Sequence, residues 1–522
     1  MTSPDPACSY DAIPYPGSPV AETHPDHLAA VGALFGLDVP HPERCRLLEL
    51  GCANGANLIP MAWHLPESRF VGVDLSPVQV ARGDALARDL GLSNLHLQVA
   101  DIRNLPESMG PFDYIVAHGI YSWVPEEVQE KILSLCAASL SPQGVAYISF
   151  NTLPGWRLRG TVRDILLDQT RHGKTPRERL TKALTTLEFL QEAYAALDTP
   201  LTQALLQEVI RLRQRPPGHL FHEYLEEYNT PCLLRDFIEK SRQHGLEYVA
   251  DCDLSRMFPH TLGERGAALF QNMSEPLEVW QHLDFLHNRA FRQALFCRQG
   301  VTISREPLLE RLESLYYHAR VAPVGSVDLR RARPVPFATP EGERFFVQRP
   351  MTRAALQMLA DTYPRSWSWP ELAQVAWQRI AAFGLHQESE GPEYFGELAA
   401  LLLRGAVGMS VRAYGQAADS VHPQATPLAL AQIRHHWDHL ATVRHQVMPV
   451  TEFTAALLPL LDGVSDEAQI RDRLLLRILQ EPHLLDPHAA SWNEKRLLRA
   501  LTEKIADHRS LFAHHGILVA AD

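Results

Sequence analysis

The sequence has few features of secreted, disulfide-bonded or membrane proteins. Its seven cysteines are scattered, form no Cys-x-x-Cys pair and all precede residue 298. An odd, scattered set predicts reduced thiols in a cytoplasmic protein rather than a disulfide scaffold. The N-terminus has neither a basic nor an apolar stretch, and the most apolar run, residues 398–407, is interrupted by Arg404. We therefore expect no signal peptide and no insertion into a membrane.

Basic residues are scarce in the first part of the chain. The 522 residues carry 49 Lys and Arg against 61 Asp and Glu, a net charge of −12. Residues 1–150 hold 7 basic and 17 acidic side chains, so nearly all the excess negative charge lies there. Nucleic-acid binding needs clustered Lys and Arg, so we expect no nucleic acid as a partner. The length allows two to four domains of roughly 100–200 residues each.

Between residues 46 and 150, short apolar runs alternate with longer amphipathic ones, which is typical of β-α units in a parallel sheet. The predicted strands are 46–50, 70–74, 95–99, 114–117 and 145–150, and the predicted helices are 57–65, 77–90 and 126–139. Five strands in this order predict an α/β fold with a Rossmann-like, doubly wound sheet. Residues 160–213 are predicted to be almost unbroken helix, and strands at 246–251 and 291–298 are predicted to resume the sheet.

We divide the chain into six predicted segments. They are an N-terminal arm over the ligand site (1–45), the Rossmann-like core (46–159), a helical insertion (160–230), the completion of the core sheet (231–300), a Pro-rich connector (301–343) and a mostly helical C-terminal domain (344–522). Within the last, residues 351–376 resemble the two helices of a winged helix. The second of these helices has no Arg or Lys, so we expect substrate recruitment or pairing of two subunits in a homodimer rather than DNA binding.

The strongest local signal is the glycine-rich segment LLELGCANGAN at 47–57, which leaves a strand and opens a helix. Gly51 permits a tight turn close to a ligand, and Gly55 permits close packing of helix and strand. Free N–H groups at the helix start favour a carboxylate or phosphate. Ala53 stands where the dinucleotide fingerprint has glycine, which disfavours NAD.

Acidic residues follow the next two predicted strands. Asp74 ends the second strand, where its carboxylate can accept hydrogen bonds from both ribose hydroxyls. Asp101 ends the third strand, where it can accept from an adenine amine while Ile102 covers the ring. The alternative is that these acids only cap the following helices. Together with the glycine-rich turn, they predict adjacent sites for methionine, ribose and adenine.

These motifs resemble those of class I S-adenosylmethionine-dependent methyltransferases. Other segments, mainly within residues 10–300, are similar to a bacterial group that carries a methyltransferase regulatory domain and includes lysine methyltransferases of outer-membrane proteins. The similar segments are YDAIPY (10–15), THP (23–25), HGIYSWVP (118–125), NTLPGW (151–156), FHEYLE (221–226) and DFLHNRAFR (284–292).

The resemblance implies S-adenosyl-L-methionine as cofactor, S-adenosyl-L-homocysteine as product, and a set of site residues. The expected cofactor-binding residues are Tyr10, Gly51, Cys52, Ala53, Asp74, Leu75, Asp101, Ile102 and His118, with His118 beside the sulfonium. The expected catalytic residues are Tyr15, Tyr121 and Trp123, with Trp156 completing an aromatic pocket that could hold an ammonium by its ring faces. The alternatives are a structural role for His118 and ordinary core packing of the aromatic residues.

The resemblance further implies direct SN2 transfer of the methyl group to accessible lysine side chains of a protein substrate. Two alternatives are a small-molecule N- or O-methyltransferase and a non-catalytic module that senses the cofactor. No metal is expected, because the histidines at 435, 436 and 439 lack an accompanying cysteine or acidic cluster.

Overall fold

The computed structural model of the protein describes residues 11–15, 17–330, 333–385, 390–415 and 420–519, so the predicted site residue Tyr10 lies outside the described residues. A seven-stranded sheet with the order β3-β2-β1-β4-β5-β7-β6 forms the centre. Its strands are β1 Arg46–Leu50, β2 Arg69–Asp74, β3 Leu95–Val99, β4 Phe112–Ala117, β5 Leu140–Asn151, β6 Leu246–Asp251 and β7 Phe291–Arg298.

The pairing of these strands confirms the predicted Rossmann-like α/β fold. Strands β1 to β5 pair in parallel, whereas β7 is antiparallel to both β5 and β6. The strand order reverses between β1 and β4, and ligands bind at such a switch point, outside the carboxyl ends of the strands. The turns after Leu50, Asp74 and Ala117 therefore meet at one edge of the sheet.

The helices around the sheet follow the sequence pattern except in the helical insertion. The helices up to β7 are α1 Pro25–Leu34, α2 Leu58–His64, α3 Pro77–Asp89, α4 Glu126–Ser139, α5 Leu153–Thr170, α6 Pro176–Leu197, α7 Pro200–Arg213, α8 Pro217–Tyr224, α9 Leu234–Gln243, α10 Gly263–Ala268 and α11 Pro276–Leu286. The prediction of almost unbroken helix over 160–213 was wrong. Pro176 and Pro200 start new helices, and the hydroxyls of Thr175 and Thr199 cap them by accepting from the third backbone N–H.

The remainder of the chain forms smaller sheets and further helices. The strands are β8 Tyr316–His318, β9 Ala322–Pro323, β10 Val335–Ala338, β11 Arg344–Val347, β12 Trp367–Ser368, β13 Gly408–Ser410, β14 His439–Ala441 and β15 Val447–Pro449, and the helices are α12 Pro350–Asp361, α13 Trp369–Ala381, α14 Glu390–Leu403, α15 Pro427–Arg434, α16 Glu452–Leu457, α17 Glu467–Gln480 and α18 Glu494–His514. The segment expected to be a connector differs from a plain linker, because it contains β8 to β10 and buries Tyr317 and Phe337. Across the described parts of the chain, every helix is too short or too polar to cross a bilayer.

Apolar packing divides into several cores. The largest runs from α1 through the central sheet to the region around Met409. A second core lies within residues 425–518. The helical insertion has its own core, which includes Ile13 of the N-terminal arm and Trp156 of α5. The arm is therefore packed against the insertion.

A buried ion cluster joins β6, β7 and α11. Asp251, Asp284, Arg289 and Arg292 are each no more than 3% exposed. Arg292 Nε lies 2.9 Å from Asp284 Oδ2, and Arg289 Nη2 lies 2.8 Å from Asp251 Oδ2. The Arg289 carbonyl also accepts from Gly155 N at 2.8 Å. The cluster thus holds the start of α5 next to the carboxyl end of β5.

Removing one charge from this cluster should destabilise the fold strongly. Asp284→Asn leaves two buried arginines, Arg289 and Arg292, to share the one carboxylate of Asp251, and breaking a buried pair in this way costs about 3–5 kcal/mol. We expect a lower urea midpoint for the unfolding of the sheet region. Glu67→Gln is the control, because Glu67 forms an exposed ion pair with Arg44 and exposed pairs contribute little. Equal midpoints for the two variants would contradict this account.

Candidate active site

The turn from β1 to α2, called the glycine loop here (residues 51–56), doubles back tightly at the carboxyl edge of the sheet. Gly51, Ala53 and Gly55 have positive φ angles of 73°, 47° and 69°. The backbone N–H groups of Gly51 and Cys52 both donate to the Val73 carbonyl, at 2.8 and 3.1 Å. A side chain at Gly51 would lie 2.9 Å from Ile120 Cδ1. The loop is therefore held closely between β2 and the turn after β4.

Asp74 fastens the glycine loop to the start of α3. Its Oδ2 accepts from Ala53 N at 2.8 Å, and its Oδ1 accepts from Ser76 N at 2.9 Å. Burial raises the pKa of this carboxyl, while the backbone donors oppose the rise. The side chain that caps α3 is Ser76 Oγ, which accepts from Gln79 N at 3.1 Å. The alternative in which Asp74 only caps the helix is therefore not what the structure shows. Leu75 next to it is 42% exposed.

Asp101 forms an ion pair with a neighbouring arginine. Arg103 Nη2 lies 2.7 Å from Asp101 Oδ2, and this pairing lowers the pKa of the Asp101 carboxyl. The carboxylate also accepts from Arg103 N at 2.9 Å and so caps the short 3-10 turn at 102–104. Asp101 therefore both caps this turn and pairs with Arg103. Ile102 is only 8% exposed and packs in the main core.

His118, at the end of β4, is enclosed by aromatic groups. Its Nδ1 lies 2.9 Å from Tyr147 Oη, and the Phe291 ring meets it edge-on with centroids 5.9 Å apart. Burial lowers the pKa of His118 to about 4, so its imidazole is neutral at pH 7. The next residue, Gly119, donates its N–H to Ser149 Oγ at 2.7 Å. His118 thus joins β4 to β5 as well as lining the strand ends.

The described first part of the N-terminal arm, residues 11–15 and 17–24, contacts both α3 and the helical insertion. Ser76 Oγ donates to Asp11 Oδ1 at 2.6 Å, and Gln79 Nε2 donates to the Tyr15 carbonyl at 3.5 Å. The Ile13 carbonyl accepts from His222 Nε2 at 2.5 Å. The arm is therefore tied to elements on both sides of the strand ends.

The predicted aromatic pocket is divided in the structure. Trp123 and Trp156 pack edge to face with centroids 5.7 Å apart. Tyr15 lies on the same insertion side, with its ring 5.9 Å from that of His222. Tyr121 instead packs on Phe237 at 4.8 Å and is 2% exposed. The structure therefore places Tyr121 in the main core rather than on a pocket wall.

Asn57 was not among the predicted site residues, although it flanks the glycine loop together with Glu49, an acid at the end of β1 that the sequence places facing the ligand. Asn57 Nδ2 donates to Glu49 Oε1 at 2.8 Å. Glu49 Oε2 is buried and has no hydrogen-bond partner within the described residues. Burial raises the pKa of Glu49 to about 7, and the neighbouring Asp74 adds to the rise. An unpaired buried acceptor of this kind suits a ligand that carries a positive charge.

Family models match three parts of the chain. A "Methyltransferase domain" matches residues 47–144, a "Predicted methyltransferase regulatory domain" matches 216–298, and a "PKMT, C-terminal winged helix domain" matches 422–516. The winged-helix match supports such a fold in the C-terminal region, but it lies after the run 351–376 on which that prediction was based.

Similar proteins cover almost the whole chain. An uncharacterized protein of Rickettsia prowazekii is 30% identical over 480 residues, which are 89% of this chain and 85% of the relative. PKMT2 of Rickettsia typhi, solved in complex with AdoHcy, is 27% identical, with a TM-score of 0.85 over 97% of this chain and 100% of that chain.

The chain belongs to the class I S-adenosylmethionine-dependent methyltransferases with a methyltransferase regulatory domain. It is therefore an enzyme, and the non-catalytic alternative is not retained. The groups at the strand ends suit this cofactor chemically. The unpaired Glu49 Oε2 complements an ammonium, and the exposed Leu75 side chain offers an apolar contact.

The methyltransferase should not tolerate a side chain at Gly83. A Cβ there would lie 2.4 Å from the Asn54 carbonyl oxygen and displace the glycine loop. We expect Gly83→Ala to weaken S-adenosylhomocysteine binding at least tenfold in calorimetry. Gly160→Ala is the matched control, because Gly160 also lies in a helix but faces open space, and alanine there should add up to about 1 kcal/mol of stability. Unchanged binding in Gly83→Ala would argue against this placement of the loop.

The raised pKa of Glu49 predicts a pH-dependent stability. The folded protein binds this proton more tightly than the unfolded chain, so the contribution is complete below about pH 4.5 and is lost as the pH rises through about 7. Relative to Glu49→Gln, the cofactor-free enzyme should lose up to about 3 kcal/mol between pH 5 and pH 8. Urea unfolding of both proteins measures the difference, and parallel pH profiles would contradict the assignment.

Proposed function

We propose that the enzyme methylates lysine side chains of a protein substrate by direct SN2 displacement. The observation that carries this proposal is the similarity to PKMT2, a protein lysine methyltransferase, over nearly the full length of both chains. That similarity includes the helical insertion and the C-terminal region, which a methyltransferase sheet alone does not need.

We propose the following roles at the cofactor. Bound S-adenosylmethionine supplies an activated methyl group on a sulfonium. The glycine loop and the Glu49 carboxyl hold the methionine end, and Asp74 and Leu75 contact the ribose. Asp101 and Ile102 complete the adenine side, where an amine shares the Asp101 carboxylate with Arg103, since a carboxylate has lone pairs for more than two donors. His118 lies beside the sulfonium as a neutral group.

The acceptor side is proposed to lie between the N-terminal arm and the helical insertion. A lysine has an ordinary pKa of about 10.4 and must lose a proton before it attacks. The partly buried ring of Trp123, supported by the buried Trp156, favours the neutral amine by excluding water. Burial and the nearby Glu223 raise the pKa of Tyr15 to about 12, so its hydroxyl stays protonated and positions the acceptor rather than acting as a base. Tyr121 supports this wall from the core.

Transfer of a tritiated methyl group into a bacterial lysate tests the acceptor class. We expect a labelled protein band that yields methyl-lysine in mass spectrometry, and no band with Asp74→Asn at low cofactor concentration. Asp38→Asn, an exposed carboxylate paired with Arg311, is the control and should keep the band. Label found only in the low-mass fraction would instead identify a small-molecule methyltransferase.

Substitution of Trp123 tests whether this residue contacts the acceptor and not the cofactor. With a purified acceptor, Trp123→Ala should lower kcat/KM for the acceptor at least tenfold and leave the Kd of S-adenosylhomocysteine unchanged. Trp492→Ala removes a tryptophan of the C-terminal region and should change neither value. Full turnover by Trp123→Ala would place the acceptor pocket elsewhere.

A further inference from the structure

The side chain of Asn57 joins three distant parts of the chain directly below the glycine loop. Its Nδ2 donates to Glu49 Oε1 at 2.8 Å and to Thr23 Oγ1 at 2.9 Å. Its Oδ1 lies 3.0 Å from Val20 N and 2.7 Å from His445 Nε2. The N-terminal arm, strand β1 and the C-terminal region therefore meet at one buried amide that is 6% exposed.

These contacts determine which atom donates in each bond. The Thr23 hydroxyl donates to the Val20 carbonyl at 2.8 Å, so its oxygen is left to accept from Asn57. The Val20 N–H can only donate, which requires that the amide oxygen of Asn57 face it. His445 must then donate from Nε2 to the same oxygen. The amide thus makes four bonds, with two donors and two acceptor positions used, and has no capacity left.

His445 reaches this amide from the turn between β14 and β15. This hairpin lies within residues 422–516, the part matched by the winged-helix model. His445 has a positive φ of 56° and is 3% exposed, and its ring lies 5.1 Å from that of His24. Burial lowers the pKa of His445 to about 3, so the ring is neutral and carries one N–H. That N–H is the one committed to Asn57.

The surrounding interface fixes the hairpin against α2 and α3. Ala56, Ile59 and Leu86 share a small apolar core with residues of the C-terminal region, namely Leu428, Ala431, Trp437 and Ala441. At its rim, Arg434 Nη2 lies 2.8 Å from Asp89 Oδ2 in an exposed ion pair. The apolar core supplies the docking surface, whereas His445 supplies the polar contact to the base of the glycine loop.

We propose that His445 is a positioning residue for the cofactor site, so that docking of the C-terminal winged-helix region and S-adenosylmethionine binding are coupled. Through Asn57, His445 holds both flanks of the glycine loop together with the arm that runs beside it. Because coupling between two equilibria is reciprocal, bound cofactor must also stabilise the docked hairpin. This inference rests on the proposed placement of the cofactor at the glycine loop.

Two substitutions at one position test the coupling. His445→Leu removes one of the two donors to the buried Asn57 Oδ1 and leaves only Val20 N, so we expect about a tenfold loss in affinity or more. His445→Gln keeps an N–H donor and should stay within about threefold of the unchanged enzyme. Arg434→Ala, which removes only the rim contact, should leave the Kd unchanged. Calorimetry with S-adenosylhomocysteine measures all three without an acceptor.

The outcomes separate this inference from the proposed site. If Asp74→Asn weakens binding but His445→Leu does not, or if the Leu and Gln variants weaken it equally, the positioning role is overturned. If Asp74→Asn also leaves the affinity unchanged, the cofactor placement itself is wrong.

Hydrogen exchange tests the coupling in the unchanged enzyme, without any substitution. Adding S-adenosylhomocysteine to the unchanged enzyme should slow amide exchange in residues 439–449 at least severalfold. No slowing in this hairpin, together with slowing in residues 51–57, would overturn the coupling.

Discussion

The structure depends on the satisfaction of polar groups at the buried carboxyl edge of the parallel sheet. Strand β1 lies between β2 and β4, so the backbone and side chains that follow these strands converge beside the N-terminal arm and the helical insertion. Buried polar groups must find partners there. Asp74 accepts a hydrogen bond from the backbone of the glycine loop, and His118 bonds to Tyr147. Asn57 bonds to Thr23 and His445, which lie far from it in the sequence. Architecture and site thus arise from the same hydrogen bonds.

The electrostatics of this edge differ from what the net charge suggests. Residues 1–150 carry most of the excess negative charge, yet burial raises the pKa of Glu49 and of Asp74, and it keeps His118 and His445 neutral at pH 7. Burial therefore disfavours the charged form of each of these four groups. Such surroundings suit both a sulfonium ligand and an amine that must be neutral to react.

Much of the fold could be predicted because its signals are local. Strands 46–50, 95–99, 246–251 and 291–298 have the bounds expected from short apolar runs that end at, or within two residues of, a glycine or aspartate. The glycine loop and Asp74 were recognisable for the same reason. The bond between Asn57 and His445 joins residues 388 positions apart, and no local pattern indicates it. The ion pair between Arg103 and Asp101 and the core position of Tyr121 could not be predicted from the sequence. Both features depend on which side chains meet in space. The breaks at Pro176 and Pro200 were present in the sequence, but the long amphipathic pattern outweighed them.

A crystal structure of the enzyme with S-adenosylhomocysteine tests the central claim most directly. The account predicts both ribose hydroxyls within hydrogen-bond distance of the Asp74 carboxylate, the amino group beside Glu49 Oε2, and an intact bond between Asn57 and His445. A ligand bound away from the glycine loop, or a bound complex in which His445 has left Asn57, would contradict it.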